Sequence, residues 1–216
     1  MQAKVKKKSM KEDKKAYWEN IYQTKKTEEV SWTQSVPHSS LGFIKSFNLA
    51  KDAKIIDIGG GDSTLVDYLL KEGFSDITVL DISEAALERA RLRLGEKSRQ
   101  VKWIVSDITD FKPKEHYDLW HDRATFHFLT EQKQIKQYVA SAAQAINNYM
   151  IIGTFSKQGP EKCSGLHVKQ YSETLLQRTL SKQFKKLKCI SEDHLTPFKT
   201  IQNFLFCSFK KHSVSA

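Results

Sequence analysis

The stretch Lys54-Ile55-Ile56-Asp57-Ile58-Gly59-Gly60-Gly61-Asp62-Ser63 decides how this chain is read. A short apolar run carrying one carboxylate meets three glycines at once. Leu65, Val66, Leu69 and Leu70 then fall at the spacing of one buried helix face. Strand, glycine turn and helix in immediate succession make a corner that cradles a nucleotide. Glycine lacks a Cβ, so the backbone there takes positive φ and comes close to a ligand. The fit to the dinucleotide pattern G-x-G-x-x-G is loose, because Gly59 and Gly61 are present but Thr64 holds the third place. The next strand supplies the context such a motif needs, since Asp76-Ile77-Thr78-Val79-Leu80-Asp81 ends in an acid.

Outward from this corner the pattern alternates. Strands are expected at 54–58, 76–80, 101–105, 117–121 and 149–155, and helices at 63–72, 83–94 and 131–147. Ser83 is placed to cap the second helix and Gly73 to stop the first. Such alternation implies a mostly parallel sheet covered on both faces, with its ligand at the carboxyl ends of the strands near the switch point. Upstream, Tyr17 to Tyr22 reads as a short helix and Pro37 opens another through Leu41, Ile44 and Phe47. Aromatics this dense ahead of the first strand suggest a lid. Downstream, Gly159 to Gly165 reads as a loop and Tyr171 to Leu180 as a helix. Two strands, Phe184 to Asp193 and Asn203 to Phe209, close the chain as an antiparallel hairpin turning near Pro197. The expected division is a basic flexible arm at 1–15 and a single domain at 16–211, with lid helices at 16–50 and a core at 51–211.

A chain of 216 residues has room for one domain with a useful core. The net charge is +10, and residues 1 to 15 carry half of it, seven lysines against Glu12 and Asp13. Charge gathered in a terminal arm reads as a solvated tail, so nucleic acid is not the expected partner. No stretch reaches the roughly 20 apolar residues of a membrane span, and no secretory leader is visible, so cytoplasmic residence is expected. Cys163, Cys189 and Cys207 are widely spaced and odd in number, which suggests reduced thiols and neither a disulfide frame nor a zinc site. No metal is expected.

The order of motifs from residue 17 to 211 resembles the class I S-adenosylmethionine-dependent methyltransferases. The resemblance implies a Rossmann-like three-layer α/β/α sandwich with a seven-stranded sheet. It implies S-adenosyl-L-methionine as cofactor and S-adenosyl-L-homocysteine as product. Asp57 to Gly61 looks like the family's glycine loop along the amino-acid part of the cofactor. Asp81 occupies the place of the ribose-binding acid, and Ser106-Asp107-Ile108 that of the adenine-binding step. Tyr117 to Asp122 looks like the fourth strand, whose end faces the methyl group. The entry Tyr17-Trp18-x-x-x-Tyr22 with Glu29-x-x-Trp32 is similar to a narrower set that includes lysine methyltransferases of an elongation factor and of citrate synthase. Those enzymes often carry Asp-Lys-Gly after strand four, where this chain has His121-Asp122-Arg123-Ala124.

On this reading the cofactor residues are Trp18, Tyr22, Asp57, Gly59, Gly60, Gly61, Ser63, Asp81, Ile82, Asp107, Ile108 and His121. Ile82 and Ile108 are placed to sandwich the adenine, and Trp18 and Tyr22 to roof it. His121 and Asp122 are the catalytic candidates, because histidine titrates near neutrality when unperturbed. Arg123, His127, Cys163 and His194 are the candidates for contact with the acceptor. The acceptor is a small molecule or a protein side-chain amine. Three alternatives stay open. A nicotinamide-dependent oxidoreductase shares the glycine turn and the acid, but calls for a stricter glycine pattern and a Tyr-x-x-x-Lys pair. A cofactor-binding pseudoenzyme needs only the pocket. RNA methylation aided by the lysine arm is the third.

Overall fold

In the computed structural model the structure describes residues 10–213, with side chains from Lys14 onward. Its centre is strand β1 (Lys54–Ile58), flanked by β2 (Asp76–Asp81) and β4 (Tyr117–Arg123). Strand β3 (Val101–Val105) lies outside β2, and β5 (Ile146–Phe155) outside β4, all parallel. The closing strands β8 (Phe184–Leu195) and β9 (Ile201–Lys211) add antiparallel to β5, giving the order β3-β2-β1-β4-β5-β9-β8. The seven-stranded, mostly parallel sheet with an antiparallel hairpin matches the expectation. The order reverses between β1 and β4, and the glycine turn leaves β1 at that switch point.

Alternation along the strands feeds two cores, one on each face. Ile55, Val79, Leu119 and Ile151 join one apolar cluster, while Ile56, Leu80, Trp120 and Ile152 join the other. Helices α2 (His38–Ser46) and α3 (Leu65–Lys71) cover the first face through Phe43, Ile44, Leu65 and Leu69, together with Leu87 of α4 (Glu84–Leu94). Helices α5 (Gln132–Ala145) and α6 (Glu173–Leu180) cover the second through Ile135, Tyr138, Leu176 and Leu180. Ser83 caps α4 by accepting from the Ala86 N–H at 3.2 Å. Gly73, at φ +89°, follows α3 as expected of a stop.

Several boundaries moved. Helix α1 (Met10–Thr24) begins upstream of residue 16, inside the stretch expected to be the arm; residues 1–9 of that arm lie outside the described residues. Helix α3 starts at Leu65 because the Ser63 hydroxyl accepts the Leu65 N–H at 3.2 Å and holds the preceding turn out of the helix. Helix α5 stops at Ala145, since buried, β-branched Ile146 already pairs with Tyr117 in the sheet. The segment expected as a plain loop at 159–165 contains one strand of a small hairpin, β6 (Lys162–Cys163) against β7 (Leu166–His167).

The cysteine expectation is overturned. Cys189 and Cys207 form a disulfide, and Cys163 alone is free and buried. They sit directly opposite in the β8–β9 ladder, with Cα atoms 4.1 Å apart. A cross-link over a separation of 18 residues restricts the unfolded chain by about 3 kcal/mol. The Cys207→Ala variant should lose about that much stability in urea titration relative to the oxidised protein. Equal midpoints before and after reduction would show that the bond contributes nothing.

Candidate active site

The glycine turn is built so that only glycine fits. At Gly59, φ is +65° and a Cβ would lie 1.7 Å from the Thr125 Oγ1. At Gly60 a Cβ would stand 2.6 Å from Asp57 Oδ2 and 2.7 Å from Val79 Cγ1. The Leu80 carbonyl accepts the N–H groups of Gly59 and Gly60, at 2.6 and 3.2 Å, and so locks the turn to the end of β2. Above the turn open two adjoining cavities, with about 840 and 900 Å³ of empty space, which share Tyr22, Trp32, Gly59 and Arg123 as wall.

The first cavity holds the ends of β2 and β3. Asp81, Ile82, Ser106, Asp107 and Ile108 line it, as do Trp18, Arg123 and Cys163. Asp81 is buried, and its Oδ1 accepts the Ser83 N–H at 2.8 Å. Burial pushes its pKa up to about 7, and the nearby Asp62 and Asp57 carboxylates add to the rise. Asp107 accepts from both the N–H (2.8 Å) and the hydroxyl (2.7 Å) of Thr109, which fixes its carboxylate at the strand end. An aromatic group closes this side: Trp18 meets Trp32 and Phe128 edge-on at 5.7 and 5.1 Å, and Tyr22 meets Trp32 at 6.1 Å. Helix α1 is fastened at two places. Glu19 accepts from the Ser83 hydroxyl (2.8 Å) and the Ala85 N–H (3.1 Å), and the Tyr17 hydroxyl donates to the Ser164 carbonyl in the β6–β7 turn.

The second cavity is lined by Asp57, Gly60, Ser63 and His121, and by the loop from Thr33 to Ser35. His121 is buried and engaged at both nitrogens, with Nδ1 2.7 Å from Asp57 Oδ1 and Nε2 2.8 Å from the Ser40 hydroxyl. It ties β4 to β1 and α2 and keeps no free nitrogen for a proton in transit.

Strand alternation separates the two catalytic candidates. Asp122 points to the opposite face, is fully buried, and lines neither cavity. Its Oδ2 accepts the Tyr138 hydroxyl at 2.7 Å, and its Oδ1 accepts the N–H groups of Thr125 and Phe126 at 3.0 and 3.1 Å. Burial raises its pKa to about 6 against the pull of those bonds. Asp122 thus shapes the turn that carries Thr125 over Gly59, a positioning role.

Of the acceptor candidates, Arg123 and Cys163 reach the cavity wall. Burial pushes the Cys163 thiol up to about 11, so it is neutral at physiological pH. His127 is fully buried behind the wall, where its Nδ1 accepts the Phe155 N–H at 3.3 Å. Burial, helped by the Arg123 charge, lowers its pKa to about 3 and keeps it neutral. His194 lies outside both cavities and binds the Ser31 carbonyl through Nε2 at 2.7 Å, pinning the final hairpin to the loop after α1. Wall residues that sequence reasoning did not assign to the site include Thr125 and Phe128. Phe128 had a signal in Phe126-His127-Phe128 just beyond strand four; Thr125 had none.

A family model described as a methyltransferase domain matches residues 56–148. Malonyl-[acyl-carrier protein] O-methyltransferase 1 of Ilyobacter polytropus is 33% identical over 92 residues, 42% of this chain and 34% of that protein. EEF1A lysine methyltransferase 2 of Danio rerio is 27% identical over 158 residues, 64% of this chain and 66% of that protein. The chain thus spans between about a third and two thirds of the length of these relatives. Among solved structures, a SAM-dependent methyltransferase from Anabaena variabilis superposes with a TM-score of 0.73 at 13% identity, covering 95% of this chain and 96% of that one. The N-methyltransferase NodS of Bradyrhizobium japonicum, in complex with S-adenosyl-L-homocysteine, gives 0.67 at 14% identity, over 92% and 99%. At such identities the structural likeness speaks for the fold.

Proposed function

We propose that this chain, which belongs to the class I S-adenosylmethionine-dependent methyltransferases, binds S-adenosylmethionine in the first cavity and transfers its methyl group to a small molecule. The observation that carries the reading is the placement of Asp81 and Asp107 at adjacent strand ends, beside a glycine turn that no side chain would fit. The residues present suit such a group. Asp81 would take the ribose hydroxyls, Asp107 the exocyclic amine of the base, and Ile82 and Ile108 the two faces of the ring. The glycine turn would take the amino-acid end. When bound, the cofactor supplies a methyl already activated on a sulfonium. The protein's task is then chiefly alignment and exclusion of water, which contributes several kcal/mol or more to such a displacement. Trp18, Tyr22 and Trp32 provide the apolar roof, and Asp122 through Thr125 sets the floor. Among the described wall residues, His121 is engaged at both nitrogens and Cys163 stays protonated, so the arrangement suits an acceptor that arrives with its lone pair free.

The likeness to EEF1A lysine methyltransferase 2 favours a protein amine instead, but the Arg123 guanidinium beside the cavity repels a lysine ammonium. Methylation confined to protein lysines in a lysate labelled with this enzyme would reverse our preference. No helix among the described residues is long and apolar enough to cross a membrane. Cytoplasmic residence is part of the same proposal, although the Cys189–Cys207 bond is of a kind that reducing compartments disfavour.

Calorimetric titration with S-adenosylhomocysteine and with NAD(H) tests the cofactor. Micromolar binding of the former alone is expected; binding of NAD(H) instead would reinstate the oxidoreductase. The pH dependence is also specified. Ribose hydroxyls donate to the ionised Asp81, whose pKa in the free protein is about 7, so binding expels a proton below that value. Affinity should fall about tenfold per unit as pH drops below 7 and level off above 8. A flat profile from pH 5.5 to 8.5 would remove Asp81 from the ligand.

A further inference from the structure

We propose that Arg123 is the receptor for a carboxylate carried by the methyl acceptor. The proposal rests on the methyl-transfer reading and names the substrate class of that same site.

Arg123 ends β4 at the boundary of both cavities. Its Nη1 donates to the Trp32 carbonyl at 2.9 Å, which fixes the guanidinium plane. Nε and Nη2 are shielded from solvent and have no hydrogen-bond partner. These two are the adjacent donors that form the parallel side-on fork of an arginine, the geometry that matches the two oxygens of a carboxylate. Burial lowers the guanidinium pKa to about 10, so it is still charged at neutral pH. Leaving charged donors buried and unpaired is costly, and an incoming anion relieves that cost.

The protein's own groups leave the fork unsatisfied. Glu192 is the carboxylate that pulls most on Arg123, yet its Oε1 is held by Gln34 Nε2 at 3.2 Å and its Oε2 makes no hydrogen bond. The Phe204 ring lies under the guanidinium, 4.8 Å away, and keeps water from that side. Lys14 also lines the first cavity, but as a flexible, strongly hydrated point charge it offers no planar fork. Phe204 belongs to β9, on the far side of β5 from β2 and β3, so the guanidinium marks the β5 side of a cavity whose other side carries Asp81 and Asp107.

A carboxylate could also come from the amino-acid end of the cofactor, and the experiment separates the two sources. Acetate, hexanoate and benzoate are titrated into the wild type against acetamide, hexanamide and benzamide, with and without saturating S-adenosylhomocysteine. At least one acid should bind about tenfold or more tighter than its amide, the worth of one charge-assisted pair. The Arg123→Met variant should lose that discrimination while its S-adenosylhomocysteine affinity stays within about threefold. No acid preferred over its amide by the wild type overturns the proposal, and so does a preference that survives in Arg123→Met. It is equally overturned if Arg123→Met weakens S-adenosylhomocysteine but not methylthioadenosine, which lacks the amino-acid end. Should Arg123→Met fail to fold, the wild-type comparison of acid with amide still decides. A preference for acids in a protein that binds no S-adenosylhomocysteine would support the anion site and sink the methyl-transfer reading instead.

Discussion

Replacing Asp81 with asparagine should lower S-adenosylhomocysteine affinity by roughly 150-fold or more at pH 8. The carboxylate offers two charge-assisted acceptors, each worth about 1.5–3 kcal/mol, and the amide keeps only one oxygen, already held by the Ser83 N–H. Asparagine is the informative change because that backbone bond survives. The effect on folding runs the other way. Burial raises the folded-state pKa of Asp81 from 3.8 to about 7, so its stabilising proton is fully present below pH 4 and lost as pH rises through 7. Above pH 7 the empty wild type carries a buried charge that the variant lacks. Thermal unfolding at pH 8 should therefore show Asp81→Asn no less stable than wild type while ligand binding collapses. A fall in melting temperature that parallels the lost affinity would mean that Asp81 is part of the scaffold and not of the ligand site.

The second large effect belongs to Asp122. Its alanine variant strands the buried Tyr138 hydroxyl and Phe126 N–H and unties the half-buried Thr125 N–H. Unsatisfied groups cost about 1–3 kcal/mol each, so a loss of about 3–5 kcal/mol is expected. In a chain of this size that corresponds to a fall of about 10 °C or more in melting temperature. The Tyr138→Phe variant removes one donor to Asp122 and the acceptor of the Trp120 indole N–H at 2.8 Å, and it should cost less. An Asp122→Ala protein that melts with the wild type yet transfers no methyl would return this carboxylate to the chemistry.

The fold was legible because its signals are local. A five-residue strand, three glycines and a leucine-rich helix fix the switch point, and the next two strands lead into Asp81 and Asp107. For the catalytic candidates a simple parity narrows the choice: adjacent strand residues face opposite ways, so His121 and Asp122 do not share a cavity. The disulfide had a signal as well. With the turn near Pro197 centred on Phe198, Cys189 and Cys207 each lie nine residues away, and the register pairs them. What no local pattern shows is the company a side chain keeps. His127 reads as a candidate for acceptor contact until it is found behind the wall, where burial and the Arg123 charge keep it neutral. Arg123 reads as a candidate for the acceptor, and only the fold shows two of its donors without acceptors.

Tyr22 and Trp32 serve as wall to both compartments, and Tyr22 rides on a helix clasped at Glu19 and Tyr17. The two chambers therefore share a movable wall. A displacement of α1 would resize both at once. The room in both is in this sense a property of one helix.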